Sequence, residues 1–311
     1  MVRRYVLHGL VAGLVALSAA RGWAEEGGRG HTLAGDKASF AGVLPSETGP
    51  IFRFKMVFYD GDVEKERTVT AGKTQYAELD RTYSSSQFEL AYVKGAPGED
   101  WRMGFELCMP LFYESDTAYF AQNGVIDVTG YYYDYEGGVG DMSFIPFMAG
   151  KQIGSNHFKG GVRLYAPTGH YREGSLAQGG LNYWTYSPFI GLTHLVPGQR
   201  EISIHTGYDI RERNTDTDYK SGEVWHMDGV AAIYTDYQTA IGITGSVYQQ
   251  MTADSGTGAT LGAFKARAYT LGPLIRHTSG SMSFEFKWLP ELSVQNRTEG
   301  SSFWLNFGTP F

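Results

Sequence analysis

The sequence predicts an all-β protein, a single transmembrane antiparallel β-barrel of about twelve strands carrying an N-terminal plug segment. Three observations lead there. Apolar and polar residues alternate with period two in run after run beyond residue 50. The connections between these runs are short and long by turns, as in barrels with short turns at one rim and long loops at the other. The last run, aromatic on one face, reaches the final residue, Phe311.

The composition is compatible with this fold and with few others. With 14% aromatic residues the chain is not of the disordered class, and it lacks the apolar runs of about 20 residues that a helical membrane protein needs. The mean hydropathy of −0.27 resembles that of a soluble protein. A barrel wall that spends half its residues on a wet lumen averages to the same value. The 41 glycines suit turns, strand kinks and a plug, and the 21 tyrosines suit interfacial girdles and loops.

Residues 1–24 have the three parts of a secretory signal peptide: Arg3 and Arg4, an apolar stretch from Val6 to Ala20, and small residues at Gly22 and Ala24. Cleavage after Ala24 is expected. It removes Arg3, Arg4 and Arg21 and no carboxylate, so the formal charge moves from −7 to −10. An acidic chain without a basic stripe argues against nucleic acid as a partner. Residues 25–50, rich in glycine, show no periodicity and are long enough to fold into a lumen as a plug or to remain a periplasmic segment.

The barrel is expected over 51–311, with strands near 51–60, 86–94, 101–113, 140–151, 157–166, 183–195, 200–210, 223–235, 239–251, 261–276, 281–289 and 301–311. In the first, Phe52, Phe54, Met56 and Phe58 oppose Arg53, Lys55 and Tyr59. Further strands oppose Trp101, Met103, Phe105 and Leu107 to Arg102, Glu106 and Cys108, and Phe158, Val162 and Leu164 to His157, Lys159 and Arg163. Ile202, Ile204, Tyr208 and Ile210 oppose Glu201, His205, Asp209 and Arg211, and Met282, Phe284, Phe286 and Trp288 oppose Ser283, Glu285 and Lys287. Because a Lys or Arg on the lipid face costs roughly 2–4 kcal/mol at mid-bilayer, the charged faces must point to a lumen. Long loops are expected at 61–85, 114–139, 167–182, 211–222, 252–260 and 290–300.

Trp101, Trp184, Trp225, Trp288 and Trp304 fall near the expected strand ends, where an interfacial girdle would place them and a soluble sandwich would not. The terminal run of Phe303, Leu305, Phe307 and Phe311 resembles the recognition signal of outer-membrane barrel assembly, so that machinery is an expected partner. Cys108, the single cysteine, excludes an internal disulfide and reads as core or lumen filler.

Chemistry-bearing patterns are sparse. No nucleophile elbow, zinc-protease pair or phosphate loop occurs. Asn214, Asp216 and Asp218 have the spacing of a calcium loop, but Tyr219 stands where glycine is required, so a solvated Asx-rich loop is the better reading. His205 and His226 each precede a carboxylate on the same face, Asp209 and Asp228, a pairing suited to acid–base work but equally to a polar lumen, and no nucleophile is placed beside them. Neither a metal nor another cofactor is called for.

The segments Ala166-Pro167-Thr168-Gly169, Gly179 to Trp184 and Ser187-Pro188, then Asn214 to Gly222 with His226-Met227-Asp228, Tyr248 to Ser255 and Leu271-Gly272-Pro273, resemble the outer-membrane family of the phenol-degradation meta pathway. The resemblance runs from about Gly42 to Phe311, and Pro310 departs from the pattern by removing a ladder donor. It implies a long-chain fatty-acid channel-like barrel in the outer membrane of a Gram-negative bacterium, embedded in its lipid and passing small hydrophobic or aromatic solutes. A hydrolase barrel and a structural or adhesive barrel are the rival classes. Solutes are expected first at Tyr131, Tyr132, Tyr133 and Tyr135, unless these are girdle residues. In the bore, Lys159, Arg163, Lys265 and Arg267 are expected to face Glu106, Asp209, Asp228 and Glu285, either as a selectivity screen or as stabilising pairs.

Overall fold

The structure is a computed structural model that describes residues 24–45, 48–70, 73–95, 100–123, 128–259, 264–280 and 282–308. Residues 1–23 of the expected leader at 1–24, Pro310 and the terminal Phe311 lie outside the described residues. Among the described residues thirteen strands form one antiparallel sheet: β1 Gly49–Thr70, β2 Lys73–Gly95, β3 Trp101–Asn123, β4 Val128–Val139, β5 Ser143–Ile153, β6 Asn156–Tyr165, β7 Thr185–Val196, β8 Arg200–Arg211, β9 Val224–Tyr234, β10 Thr239–Gln250, β11 Arg267–Ser279, β12 Met282–Gln295 and β13 Glu299–Gly308. Each strand pairs with its sequence neighbour except at β4. The ring is closed by β1 on β13, with Phe54 opposite Phe307 and Phe58 opposite Phe303.

Closure uses twelve strands. The thirteenth is β4, which pairs with Leu111–Gln122 in the outer half of β3, while β5 pairs with Trp101–Cys108 in the inner half. The partner switch falls where the chain breaks from extended structure at residues 140–142. The outer half of β4 therefore has one neighbour, and its free edge is covered by the connection 166–184, where Asp134 accepts the N–H groups of Leu176 and Ala177 at 2.9 and 3.2 Å.

Two expected loops are strands instead. Residues 61–70 continue β1 and 73–85 continue β2, with Gly61 opposite Arg81, Val63 opposite Leu79 and a register shift between Thr68 and Thr70, and most of 114–139 belongs to β3 and β4. The first reads as a loop because Asp, Glu, Lys, Ser and Thr make up about half of it, and the second because its run of Tyr and Gly shows no apolar–polar alternation. Strand pairing is satisfied by backbone groups, and beyond the bilayer no lipid requires an apolar face. At 22 residues β1 is about twice the 9–11 residues that a tilted strand needs to cross a bilayer.

Alternation sets the two surfaces. Ile202, Ile204, Ile241, Ile243, Ile275 and Phe284 stand exposed on the outer wall, whereas Glu201, Thr244, Arg276 and Lys287 between them are buried on the inner one. Ile243→Arg should therefore reduce the folding free energy in lipid vesicles by about 2–4 kcal/mol, the cost of arginine near the bilayer midplane. Tyr237→Arg should be near neutral, since Tyr237 is 91% exposed in the β9–β10 turn. Of the five tryptophans expected in girdles, Trp101 opens β3, Trp184 immediately precedes β7 and Trp225 is second in β9, as girdle residues should be. Trp288 lies mid-strand, stacked on Phe303, and Trp304 turns into the lumen with no exposure. The first follows from β12 extending to 295, beyond its expected limit, and the second from parity, since Trp304 alternates with the outward Phe303 and Leu305.

Candidate functional site

Residues 24–45 lie against the inner wall, and their only regular element is a short 3-10 turn at Glu26–Gly28. The segment runs from the long-loop rim to the short-turn rim. Near its start, Glu26 N–H donates to Ser221 Oγ at 3.2 Å and Asn214 Nδ2 donates to the Glu26 carboxylate at 2.9 Å. Farther in, Arg29 pairs with Glu114 at 2.6 Å, and His31 contacts Asp141 at 2.9 Å while stacking on Tyr165 at 4.7 Å. Thr32 donates to Asp209 at 2.7 Å, and the N–H groups of Gly35 and Lys37 both donate to Asp228, at 3.0 and 2.9 Å. Ser39 donates to Glu285 at 2.6 Å and Phe40 N–H to Glu201 at 2.7 Å.

Carboxylates on several different strands thus hold a segment whose backbone would otherwise leave N–H groups unsatisfied inside the wall. The fit also depends on glycine. A Cβ on the inward-facing Gly191 of β7 would stand 2.0 Å from the Ala41 carbonyl oxygen, so only a hydrogen there lets the segment approach the strand.

Among the cavities between segment and wall, two are central. The outer one, about 210 Å³, is lined by Leu33, Val57, Tyr59, Tyr83, Cys108, Pro110, Phe112, Tyr165 and Trp304, with Arg29, Arg81 and Glu114 on its polar side. An apolar cavity of about 150 Å³ accepts a benzene ring, so this chamber has room for a single-ring aromatic. Two of its polar atoms, Trp304 Nε1 and Thr270 Oγ1, are buried with no hydrogen-bond partner among the described residues. Gly140, Asp141 and residues 178–181 also line it, so the chamber reaches the wall at the β4–β5 switch.

The inner chamber, about 110 Å³, shares Asp36 and Lys37 with the outer one. It is cationic: Lys37, Arg53, Lys55, Lys159, Arg163, Arg276 and Lys287 face Asp36, Glu89, Glu106 and Glu285, seven charges against four. Most are paired. Arg163 contacts Glu106 at 2.5 Å, Lys55 contacts Glu89 and Asp36 at 2.8 Å, and Arg276 contacts Glu285 at 2.7 Å. Lys159 has no hydrogen bond or ion pair within the described residues, and it is the group best placed to meet an incoming anion.

Of the expected site residues, Glu106, Lys159, Arg163, His205, Asp209, His226, Asp228 and Glu285 do face the lumen. Lys265 and Arg267 do not. Lys265 is exposed before β11 and donates to the Met251 carbonyl at 2.6 Å, while Arg267 shares the outer face with Tyr269, 5.6 Å from its ring. The inward parity of β11 belongs to Ala268, Thr270, Leu274 and Arg276. Only Arg163 with Glu106 forms among the expected ion pairs. Arg53, Lys55, Arg81, Glu89, Glu114, Asp116, Glu201, Arg211, Arg276 and Lys287 also belong to the charged wall. All sit at the inward parity of their strands, which is the signal that finds them.

The histidine pairings also differ from expectation. Asp209 binds His226 at 3.2 Å rather than His205, Asp228 accepts the segment's backbone, and His205 stacks between Phe189 and His226. Ser187 does stand beside His226, with its Oγ 3.4 Å from Nε2. Asp209 approaches that same nitrogen, while Nδ1 has no partner among the described residues. A Ser-His-Asp relay needs acid and nucleophile on opposite nitrogens, so this trio does not supply one.

Tyr131, Tyr132, Tyr133 and Tyr135 are on strand β4 rather than in a loop, with Tyr131, Tyr133 and Tyr135 exposed on its outer face. Of the acidic loop residues, Asp218 pairs with Arg213. Hydrogen bonds from Thr257, then Arg213, hold its carboxyl below the usual carboxylate range. Among the described residues no cluster of three or more His, Cys, Asp or Glu could hold a metal ion.

The family model described as "Putative MetA-pathway of phenol degradation" matches residues 61–307. Among solved structures, the COG4313 outer membrane channel from Pseudomonas putida F1 superposes with a TM-score of 0.64 at 13% identity, covering 90% of this chain and 100% of that one. A Pseudomonas aeruginosa FadL homologue gives a TM-score of 0.42 at 8% identity, covering 93% and 99%. No curated protein matches the sequence.

Proposed function

The chain belongs to the family of the MetA pathway of phenol degradation, and on that premise we propose that it is an outer-membrane channel for uptake of small hydrophobic or aromatic organic compounds. The observation that carries this reading is the outer chamber. It combines the room for one aromatic ring, aromatic walls, and two unpaired polar groups, Trp304 Nε1 and Thr270 Oγ1, that can hold a ring substituent. The bilayer-facing isoleucines and phenylalanines and the short turns at one rim support placement in the outer membrane of a Gram-negative cell.

Residues 25–45 act as the plug. Among the described residues they occupy the lumen and leave the two chambers along their length. Solute reaches the outer chamber beside the free edge of β4, where the wall is closed by the connection 166–184 rather than by strand pairing. From there it passes to the inner chamber, whose lining holds more basic than acidic side chains and where Lys159, without an ion pair among the described residues, can meet a carboxylate. An aromatic acid satisfies both chambers, its ring in the first and its anionic group drawn toward the second.

The test is flux into proteoliposomes of benzoate against a pentose of similar size. Benzoate should enter faster than the sugar, and Trp304→Ala should lower benzoate entry while leaving sugar entry unchanged. A folded barrel that passes the two solutes at equal rates, or passes neither, overturns the proposal.

A further inference from the structure

We infer that removal of the leader after Ala24 creates a structural ion pair: the new N-terminal ammonium of Glu25 binds the Asp254 carboxylate and fastens the lumen segment at the long-loop rim. Glu25 N lies 2.8 Å from Asp254 Oδ2. That carboxylate is already built for a cation, since Tyr219 donates to Oδ2 at 2.6 Å and Gly222 N–H and Gln250 Nε2 each donate to Oδ1 at 2.7 Å. The Glu25 side chain is fixed separately, paired with Arg211 and hydrogen-bonded by Tyr248, with both charged side chains fully buried.

A second observation points to the same bond. Glu25 has φ 70° and ψ 148°, a conformation that residues with a side chain rarely adopt and glycine occupies freely. The torsion φ is defined by the carbonyl carbon of the preceding residue, and the crowding arises from that carbonyl. Hydrolysis of the Ala24–Glu25 bond removes it, so the cleaved chain holds the same position without strain. The sequence independently places small residues, Gly22 and Ala24, at the positions a leader peptidase reads.

The step balances with water as the second reactant and a leader peptidase as catalyst. The C–N bond of Ala24–Glu25 breaks, hydroxide goes to the Ala24 carbonyl to give the leader's carboxylate, and Glu25 nitrogen ends as an ammonium with three N–H donors in place of one. Ala24 departs with its hydrogen bond to the Asn296 carbonyl. The ammonium–Asp254 pair replaces that bond as the fastening of the segment. Processing is thereby coupled to closure: an uncut chain carries a neutral amide at this position and a cut one carries a charge.

The experiment uses protein purified from outer membranes. Intact mass should show a chain beginning at Glu25, and a lysine- and amine-reactive acylating reagent followed by peptide mapping should report on its α-amine. An opposite charge in contact lowers the reactive neutral fraction of an amine about tenfold or more, so the folded wild type should acylate at Glu25 at least tenfold more slowly than the unfolded chain. Asp254→Asn should abolish most of that protection, whereas Asp216→Asn, an exposed acid of the neighbouring loop, should not. A variant with one glycine inserted after Ala24 moves the ammonium off Asp254 without altering the barrel, and it should react like the unfolded chain even if Asp254→Asn fails to fold. A mature chain beginning elsewhere, or an α-amine as protected in the insertion variant as in the wild type, overturns the inference.

Discussion

Deleting residues 25–48 while keeping the leader and the barrel should raise single-channel conductance several-fold and erase the difference between benzoate and sugar. A ring of twelve strands lies between the roughly 8-stranded barrels that side chains fill and the 16- to 18-stranded porins that leave a channel, so what occupies its lumen decides what passes. The occupant we propose is the N-terminal segment, held by Asp209, Asp228, Glu201 and Glu285 through hydrogen bonds of 2.6–3.0 Å. Removing it hydrates both chambers and leaves these carboxylates facing water, which they tolerate better than a dry interior. A gentler variant separates occlusion from charge. Gly191→Leu drives a side chain into the Ala41 carbonyl and displaces the segment at the short-turn rim without touching an acid, so its conductance should rise by less. Planar-bilayer recording reads both; a deletion variant that conducts like the wild type would show that the segment does not obstruct the bore.

The barrel was legible because the solvent on each side of its wall differs, and period-two alternation records that difference residue by residue. The pairs Ile202/Glu201 and Phe286/Lys287 announce both the strand and its orientation. The outer halves of β1–β4 were illegible for the same reason. The inward Arg81 and Ser85 are buried yet as hydrophilic as the exposed Asp80 and Thr82 on either side of Arg81, so the letters do not alternate there and the backbone ladder defines the strand. The inward residues of the site were readable by parity where the strand limits were right, as at Lys159, Arg163 and Asp209. They failed where the parity was counted across a misjudged start, as at Lys265 and Arg267. What no parity reveals is which inward groups meet. Asp209 turns to His226 on the adjacent strand, and Asp228 to a backbone nearly two hundred residues earlier, because partner choice depends on barrel stagger and on where the segment threads.

The largest stability loss should come from Arg276→Met. Arg276 is 2% exposed and binds two carboxylates on the inner wall, Glu201 at 2.6 Å and Glu285 at 2.7 Å, while its guanidinium covers the Phe40 ring at 4.0 Å. Methionine matches much of its volume, so the change removes charge more than packing. It leaves buried acids without their cation, and breaking a buried pair from one side costs about 3–5 kcal/mol. By contrast Arg213→Ala removes an ion pair to Asp218 at the exposed rim, where both side chains remain over a third accessible, and should leave the unfolding midpoint nearly unchanged. Urea unfolding in lipid vesicles distinguishes the two. The loss in Arg276→Met should be partly restored by adding Glu201→Gln, because neutralising the orphaned acid removes the cause of the destabilisation rather than adding a contact. Lys287 keeps Glu285 partly compensated at 3.4 Å, so Glu285→Gln should restore less. That asymmetry between the two rescues tests whether the wall is held as named charge pairs or only as a generally polar surface, since a generally polar lumen would respond equally to either glutamine.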